Sequence, residues 1–249
     1  MAKREPKPEL IEEIESGAER LASWIGENAL AVCLAVALVL SGALGWGVYD
    51  SWKTGREEAA SNALDSARSA YFNALGAGPL ARAEPELANP LAAQTIREEH
   101  LGNFLAVADT HEGTVAGTLA LFEAGQIQQR LELAAESEAT WARALAAAAG
   151  NPGLQGLAQQ RLAEALEARG AWAEAASAHE AAGAIADYPL RYWALVDAAR
   201  CWNAAGNDAR ALALYERVAD EAPEFQLPPH LAIERAELEA TQGRLDTAS

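Results

Sequence analysis

Four histidines and two cysteines are the residues of this 249-residue chain best suited to metal or nucleophilic chemistry, and their spacing assembles no recognisable site. His100, His111, His179 and His230 fall into no HExxH or paired-ligand pattern, and Cys33 and Cys201 form no CxxC pair. Cys33 lies inside a long apolar run and Cys201 in a distant helical pattern, so a disulfide would join a sulfur in lipid to one in water. No glycine-rich phosphate loop, nucleophile elbow or kinase signature occurs. Glu164, Glu167 and Glu174 are spaced as solvated helix faces, with Arg161 and Arg169 near enough for ion pairs. These residues predict neither an enzyme nor a cofactor or metal requirement.

The charge balance narrows the partners. With 19 Lys and Arg against 36 Asp and Glu the net charge is −17, the wrong sign for attraction to nucleic acid or anionic lipid. The chain is 51% hydrophobic but only 6% aromatic, and alanine supplies much of the difference. Alanine has the highest intrinsic helix propensity and lets helices approach closely, which predicts an all-α fold.

Between Glu27 and Asp50 the run NALAVCLAVALVLSGALGWGVY carries no charge. Its 28–49 span, at about 1.5 Å per residue, reaches across the ~30 Å hydrocarbon layer of a bilayer. Trp24 stands at one end and Trp46, Tyr49 and Trp52 at the other, where amphipathic rings settle at headgroup level. The leader is long and acidic and the run lacks a small-residue cleavage site, so an uncleaved single-pass anchor is expected rather than a signal peptide. Ser41 with Gly45, and Ala43 with Gly47, form small-xxx-small pairs that would admit a close second helix or are merely tolerated in lipid. Arg20 before the run and Lys53 and Arg56 after it do not decide the orientation. Over 1–27 Leu10, Ile14, Leu21 and Trp24 recur at helical spacing between glutamates, the pattern of an amphipathic tail.

Behind the anchor, residues 50–110 read as connecting helices. The first, over 53–75, continues the anchor, and a Pro/Gly-rich loop follows at 76–90. Residues 111–249 read as helical repeats, because Gly170, Gly206 and Gly243 end successive helical patterns 36 and 37 residues apart. In 157–182 small Ala163 and large Leu162 and Leu166 precede Gly170 and Trp172, with Ala175 and Ala182 in the second helix. In 192–223 Ala198, Ala199 and Trp202 precede Gly206, then Ala211, Tyr215 and Pro223. A degenerate unit over 114–149 has Ala139 and Ala146 in the expected places, and a last unit over 229–248 keeps Ala236 and Gly243. These residues resemble the tetratricopeptide pattern, with His179 where such a unit usually carries an aromatic ring. The fold expected is an N-terminal transmembrane helix followed by a tetratricopeptide-like solenoid.

The order of elements, with the AASNALDSARSAYFNAL helix and the His111–Thr114 turn (HEGT) before a helix, resembles the ancillary SecYEG translocon subunit family of bacterial inner-membrane proteins. The resemblance implies a cytoplasmic N-terminus and a periplasmic repeat domain. It implies a scaffold beside the protein-export channel that binds translocon subunits, periplasmic chaperones or nascent chains. The same architecture would also serve another envelope complex, in cell-wall or outer-membrane assembly, or a cytosol-facing regulator. First-helix positions of such repeats line a peptide groove, which nominates Gln160, Glu164 and Glu167, then Trp193, Val196, Arg200 and Asn203, then Ile233 and Glu237.

Overall fold

The computed structural model describes residues 20, 23–77, 84, 85, 87 and 89–246. Most of the amphipathic tail and of the 76–90 loop therefore lie outside the described residues. From Ala29 onward nine helices follow one another, and no strand occurs among the described residues: α1 (Ala29–Ala74), α2 (Pro90–Thr110), α3 (Val115–Arg130), α4 (Ala134–Ala147), α5 (Pro152–Ala168), α6 (Trp172–Gly183), α7 (Arg191–Ala204), α8 (Asp208–Glu221) and α9 (Pro229–Asp246).

The chain forms two compact units, Met1–Gly55 and Arg56–Ser249. In the first, the apolar half of α1 is uncovered: Leu38, Leu44 and Trp46 are each more than 70% exposed. The helix is long and apolar enough to cross a membrane. Ser41 Oγ donates to the Ala37 carbonyl at 2.6 Å, which satisfies the hydroxyl within the helix. Ala43, Gly45 and Gly47 are exposed, and a Cβ on either glycine would meet nothing within 4 Å. Tyr49 tilts against both Trp46 and Trp52, with ring centroids 6.5 and 6.2 Å away.

The second unit is a stack of antiparallel helices in which each helix from α2 to α9 packs on its sequence neighbour and α5 also touches α7. Its core begins inside α1, where Ala60, Leu64, Ala67 and Tyr71 join Phe104 of α2, Leu121 and Ile127 of α3 and Trp141 of α4. From Arg56 onward the 50–110 stretch contributes to the packed unit. Asn89 caps α2 and Pro90 starts it, as the missing proline N–H allows. Pro90 therefore belongs to a helix, not to the loop.

The turns explain the repeat. Gly170 and Gly206 both have φ of 77°, in the left-handed region that closes a helix, and Glu132 takes φ of 59° at the matching turn after α3. At all three the next residue donates back to the helix: Leu133 to Gln128 O at 2.9 Å, Ala171 to Leu166 O at 2.9 Å and Asn207 to Trp202 O at 2.8 Å. Counting from these turns brings three units into register. Ser137, Ala175 and Ala211 are the buried small residues after the turn, and Trp141, His179 and Tyr215 fill the buried large slot. Gly125, Ala163 and Ala199 are the buried small residues at the matching place in the preceding first helices, and a Cβ at Gly125 would stand 2.7 Å from the Trp141 ring.

Two sequence expectations are corrected here. Ala139 and Ala146 are exposed, because the register of the degenerate unit is set by Glu132 and not by the alanine spacing. Gly243 lies inside α9 and ends no helix, so the last unit contributes one helix to the described structure.

Candidate functional site

The nominated positions lie on the first helices α5, α7 and α9, which present three different surroundings. On α5, Gln160 accepts a hydrogen bond from the Tyr188 hydroxyl. Tyr188 itself lies flat on Gly156, where a Cβ would stand 2.3 Å from its ring. Glu164 pairs with Arg161 at 2.7 Å, one turn apart. Glu167 turns inward to a buried knot.

That knot ties α5, α6 and α7 together. Arg200 from α7 donates through Nη2 to both Glu167 oxygens, at 2.8 and 2.6 Å, and His179 Nε2 from α6 lies 2.8 Å from Glu167 Oε1. Burial works to raise the Glu167 carboxyl pKa, but hydrogen bonds from His179 and Arg200 outweigh it and hold the group at about 2. Beside it, burial and then the Glu167 charge push the Cys201 thiol up to about 12. Asp197, one turn before Cys201, is raised by burial, against the nearby His179 and Arg200. Asp197 Oδ1 stands 4.0 Å from Arg200 Nε.

On α7, Trp193 is 42% exposed and meets Phe225 edge-on with ring centroids 4.8 Å apart. Tyr192 also tilts against Phe225, and the Arg191 guanidinium lies 4.9 Å over the Tyr192 ring. Together with Leu190, which is exposed, they make an aromatic patch at the start of α7. Val196 is fully buried beneath the helix stack and offers no surface to a ligand, which corrects its nomination. Asn203 is half-buried. On α9, Ile233 is 61% exposed and Glu237 is exposed.

The structure thus joins Glu167 to Arg200 directly and places Trp193 and Ile233 at the surface, whereas Val196 and the inner part of Glu167 serve packing. None of the nine lines the recesses of about 490, 420 and 360 Å³. The first of those is walled by Asp109 and Arg143, an ion pair between α2 and α4, with Gly117 and Thr118. Gln126 and Arg130 of α3 line the second and third alike. Sequence patterning did not single out His179, Cys201, Tyr192 or Phe225 as site members. The 36-residue offset from Tyr215 to His179 was the available signal for the first of them.

No protein-family model matches the chain, and no curated protein matches it. Among solved structures, a crystal structure of nearly identical TPR-like repeats, from a Podosopora anserina protein described as a kinesin light chain, has a TM-score of 0.48 at 18% identity. It covers 65% of this chain and 92% of its own. A variant of the same protein has a TM-score of 0.50 at 17% identity, covering 74% of this chain and 90% of its own. The latter similarity identifies the fold of the repeat unit as tetratricopeptide-like.

Proposed function

We propose that this protein is a membrane-tethered binding scaffold, which holds protein segments on the first-helix face of its repeats and does no covalent chemistry. The observation that carries the proposal is one helix, α1, that is uncovered and apolar in its first half and part of a helical-repeat core in its second. An uncovered apolar surface of this extent needs a non-aqueous environment. Helical repeats in turn present an extended side-chain surface on which a partner segment can be read. Tethering confines that surface to the membrane plane and raises its effective concentration near membrane-bound partners.

The aromatic patch of Trp193, Tyr192 and Phe225, with Ile233 of α9, is the proposed contact surface, since exposed aromatics supply much of the energy at protein interfaces. The order of elements supports a finer reading: a bacterial inner-membrane protein with cytoplasmic N-terminus and periplasmic repeats. In this reading it stands beside the protein-export translocon and links it to envelope chaperones.

Site-specific photocrosslinking in intact cells tests both levels. Probes at Trp193 and Ile233 are expected to capture protein partners, and a probe at Ser41 a membrane subunit. Capture of translocon subunits or envelope chaperones supports the finer reading, whereas capture of cell-wall or outer-membrane assembly factors replaces it with that of another envelope scaffold. Probes that capture no protein at any of the three positions overturn the scaffold proposal itself.

A further inference from the structure

The large slot of the repeat is filled by an indole at Trp141 and a phenol ring at Tyr215, but by an imidazole at His179. An apolar ring would fill that space without a polar cost, so the exception asks for a chemical reason. His179 is 1% exposed, and its Nε2 faces Glu167 Oε1 at 2.8 Å, while its Nδ1, like Trp141 Nε1 in the equivalent slot, is buried with no hydrogen-bond partner. Around it, Glu167 of α5, His179 of α6 and Cys201 of α7 bring one oxygen, one nitrogen and one sulfur within 4.8 Å of one another. Both His179 and Cys201 are fully buried, and Cys201 is a free thiol.

We propose that Glu167, His179 and Cys201 form a binding site for a single Zn²⁺ or similar borderline divalent cation, which fastens three consecutive helices of the repeat unit together. One carboxylate, one imidazole and one thiolate is a donor set matched to such ions and unsuited to calcium or magnesium. With bonds of roughly 2.0–2.3 Å, a tetrahedral ion holds its ligand atoms about 3.3–3.8 Å apart. The widest separation therefore needs to close by at most roughly 1 Å, and the 2.8 Å between His179 Nε2 and Glu167 Oε1 to open by roughly 0.5 Å, both within reach of side-chain adjustment.

Arg200 stands in a second role. Its guanidinium holds both Glu167 oxygens, at 2.8 and 2.6 Å, and so competes with a cation for the carboxylate. Its charge also opposes the cation. On binding, the Cys201 thiol proton leaves to solvent, and the imidazole ligates through Nε2 with its proton carried on Nδ1. The metal-free cluster is then the same knot held by protons and by Arg200.

Cobalt titration of the full chain in detergent, carrying Cys33→Ser so that Cys201 is the one thiol, tests the site. Expected are one equivalent of Co²⁺ with a thiolate-to-cobalt charge-transfer band and tetrahedral d–d intensity, both displaced by Zn²⁺. Cys201→Ser should lose the charge-transfer band, and His179→Gln should weaken binding by at least tenfold. Arg200→Gln should tighten it by roughly tenfold, as the nearby positive charge is removed. That gain separates a metal site from a purely structural knot and does not depend on the buried variants folding. Absence of a thiolate band in both the parent chain and Arg200→Gln overturns the proposal, as does a band that survives Cys201→Ser.

Discussion

Replacing Glu167 by glutamine keeps the shape of the side chain and removes the charge around which α5, α6 and α7 are tied. The amide carries two donors of its own, so one of them must face either the Arg200 guanidinium or the His179 N–H, neither of which accepts. The magnitude follows from the carboxyl's acidity. Each tenfold change in proton affinity is worth about 1.4 kcal/mol, so a group held at about 2 in place of its ordinary 4.5 carries ~3 kcal/mol of stability. Glu167 is only 17% exposed, so little of this is screened, but Arg200 is 33% exposed and recovers some hydration when released. Glu167→Gln is therefore expected to lose ~2–3 kcal/mol at neutral pH. Because the folded-state pKa is depressed, the contribution is complete above about 4.5 and disappears as pH falls towards 2. Denaturant unfolding of the full chain in detergent, followed by tryptophan fluorescence at pH 7 and again near pH 3, reads both quantities. A loss under 0.5 kcal/mol at pH 7 would refute the reasoning, as would a difference that fails to narrow in acid.

The turn register makes a prediction of opposite sign: Glu132→Gly should stabilise the chain by roughly 0.5–1 kcal/mol. The left-handed cost for an L-residue is about 1–2 kcal/mol, and glycine's greater freedom when unfolded offsets part of it. A lower unfolding midpoint for this variant would contradict the shared turn geometry. Gly156→Ala drives a methyl into the Tyr188 ring and should cost about 1–3 kcal/mol in the same assay, whereas alanine at exposed Gly102 inside α2 should not destabilise. Leu38→Arg, at a 75% exposed position of the apolar half-helix, adds roughly 2.5–3.5 kcal/mol to membrane insertion. It should release part of the protein from carbonate-washed membranes, and full retention would argue against this segment as the anchor.

What could be read from the sequence, and what could not, divides along a physical line. Hydropathy is a local property, so the uncharged 28–49 run and its continuation into the 53–75 helix are visible in the residues and recur as the single helix α1. Turn glycines are local too, and Gly170 and Gly206 mark two repeats. Where the turn is carried by Glu132 the signal fails, because a left-handed glutamate looks like any surface residue in sequence. The alanine pattern alone then placed the register two residues late, at Ala139 in place of Ser137. Gly243 shows the converse error, a glycine at the right interval that is simply helical.

The face of the first helices was harder to read because burial there depends on the next unit in the stack. The repeat spacing in the sequence equates Val196 with Ile233, yet one is fully buried and the other 61% exposed. A repeat alignment assigns both the same role, and stacking gives them different ones. The Glu167 knot is of the same kind, since its members come from α5, α6 and α7 and lie 12 to 33 residues apart in sequence. No local pattern links them. Only the antiparallel packing of α6 between its neighbours brings the imidazole that replaces a ring at the large slot to the carboxylate and thiol beside it. In a fold built by repetition, the informative residues are those that break the repeat, and here the break falls in a tightly tied polar cluster.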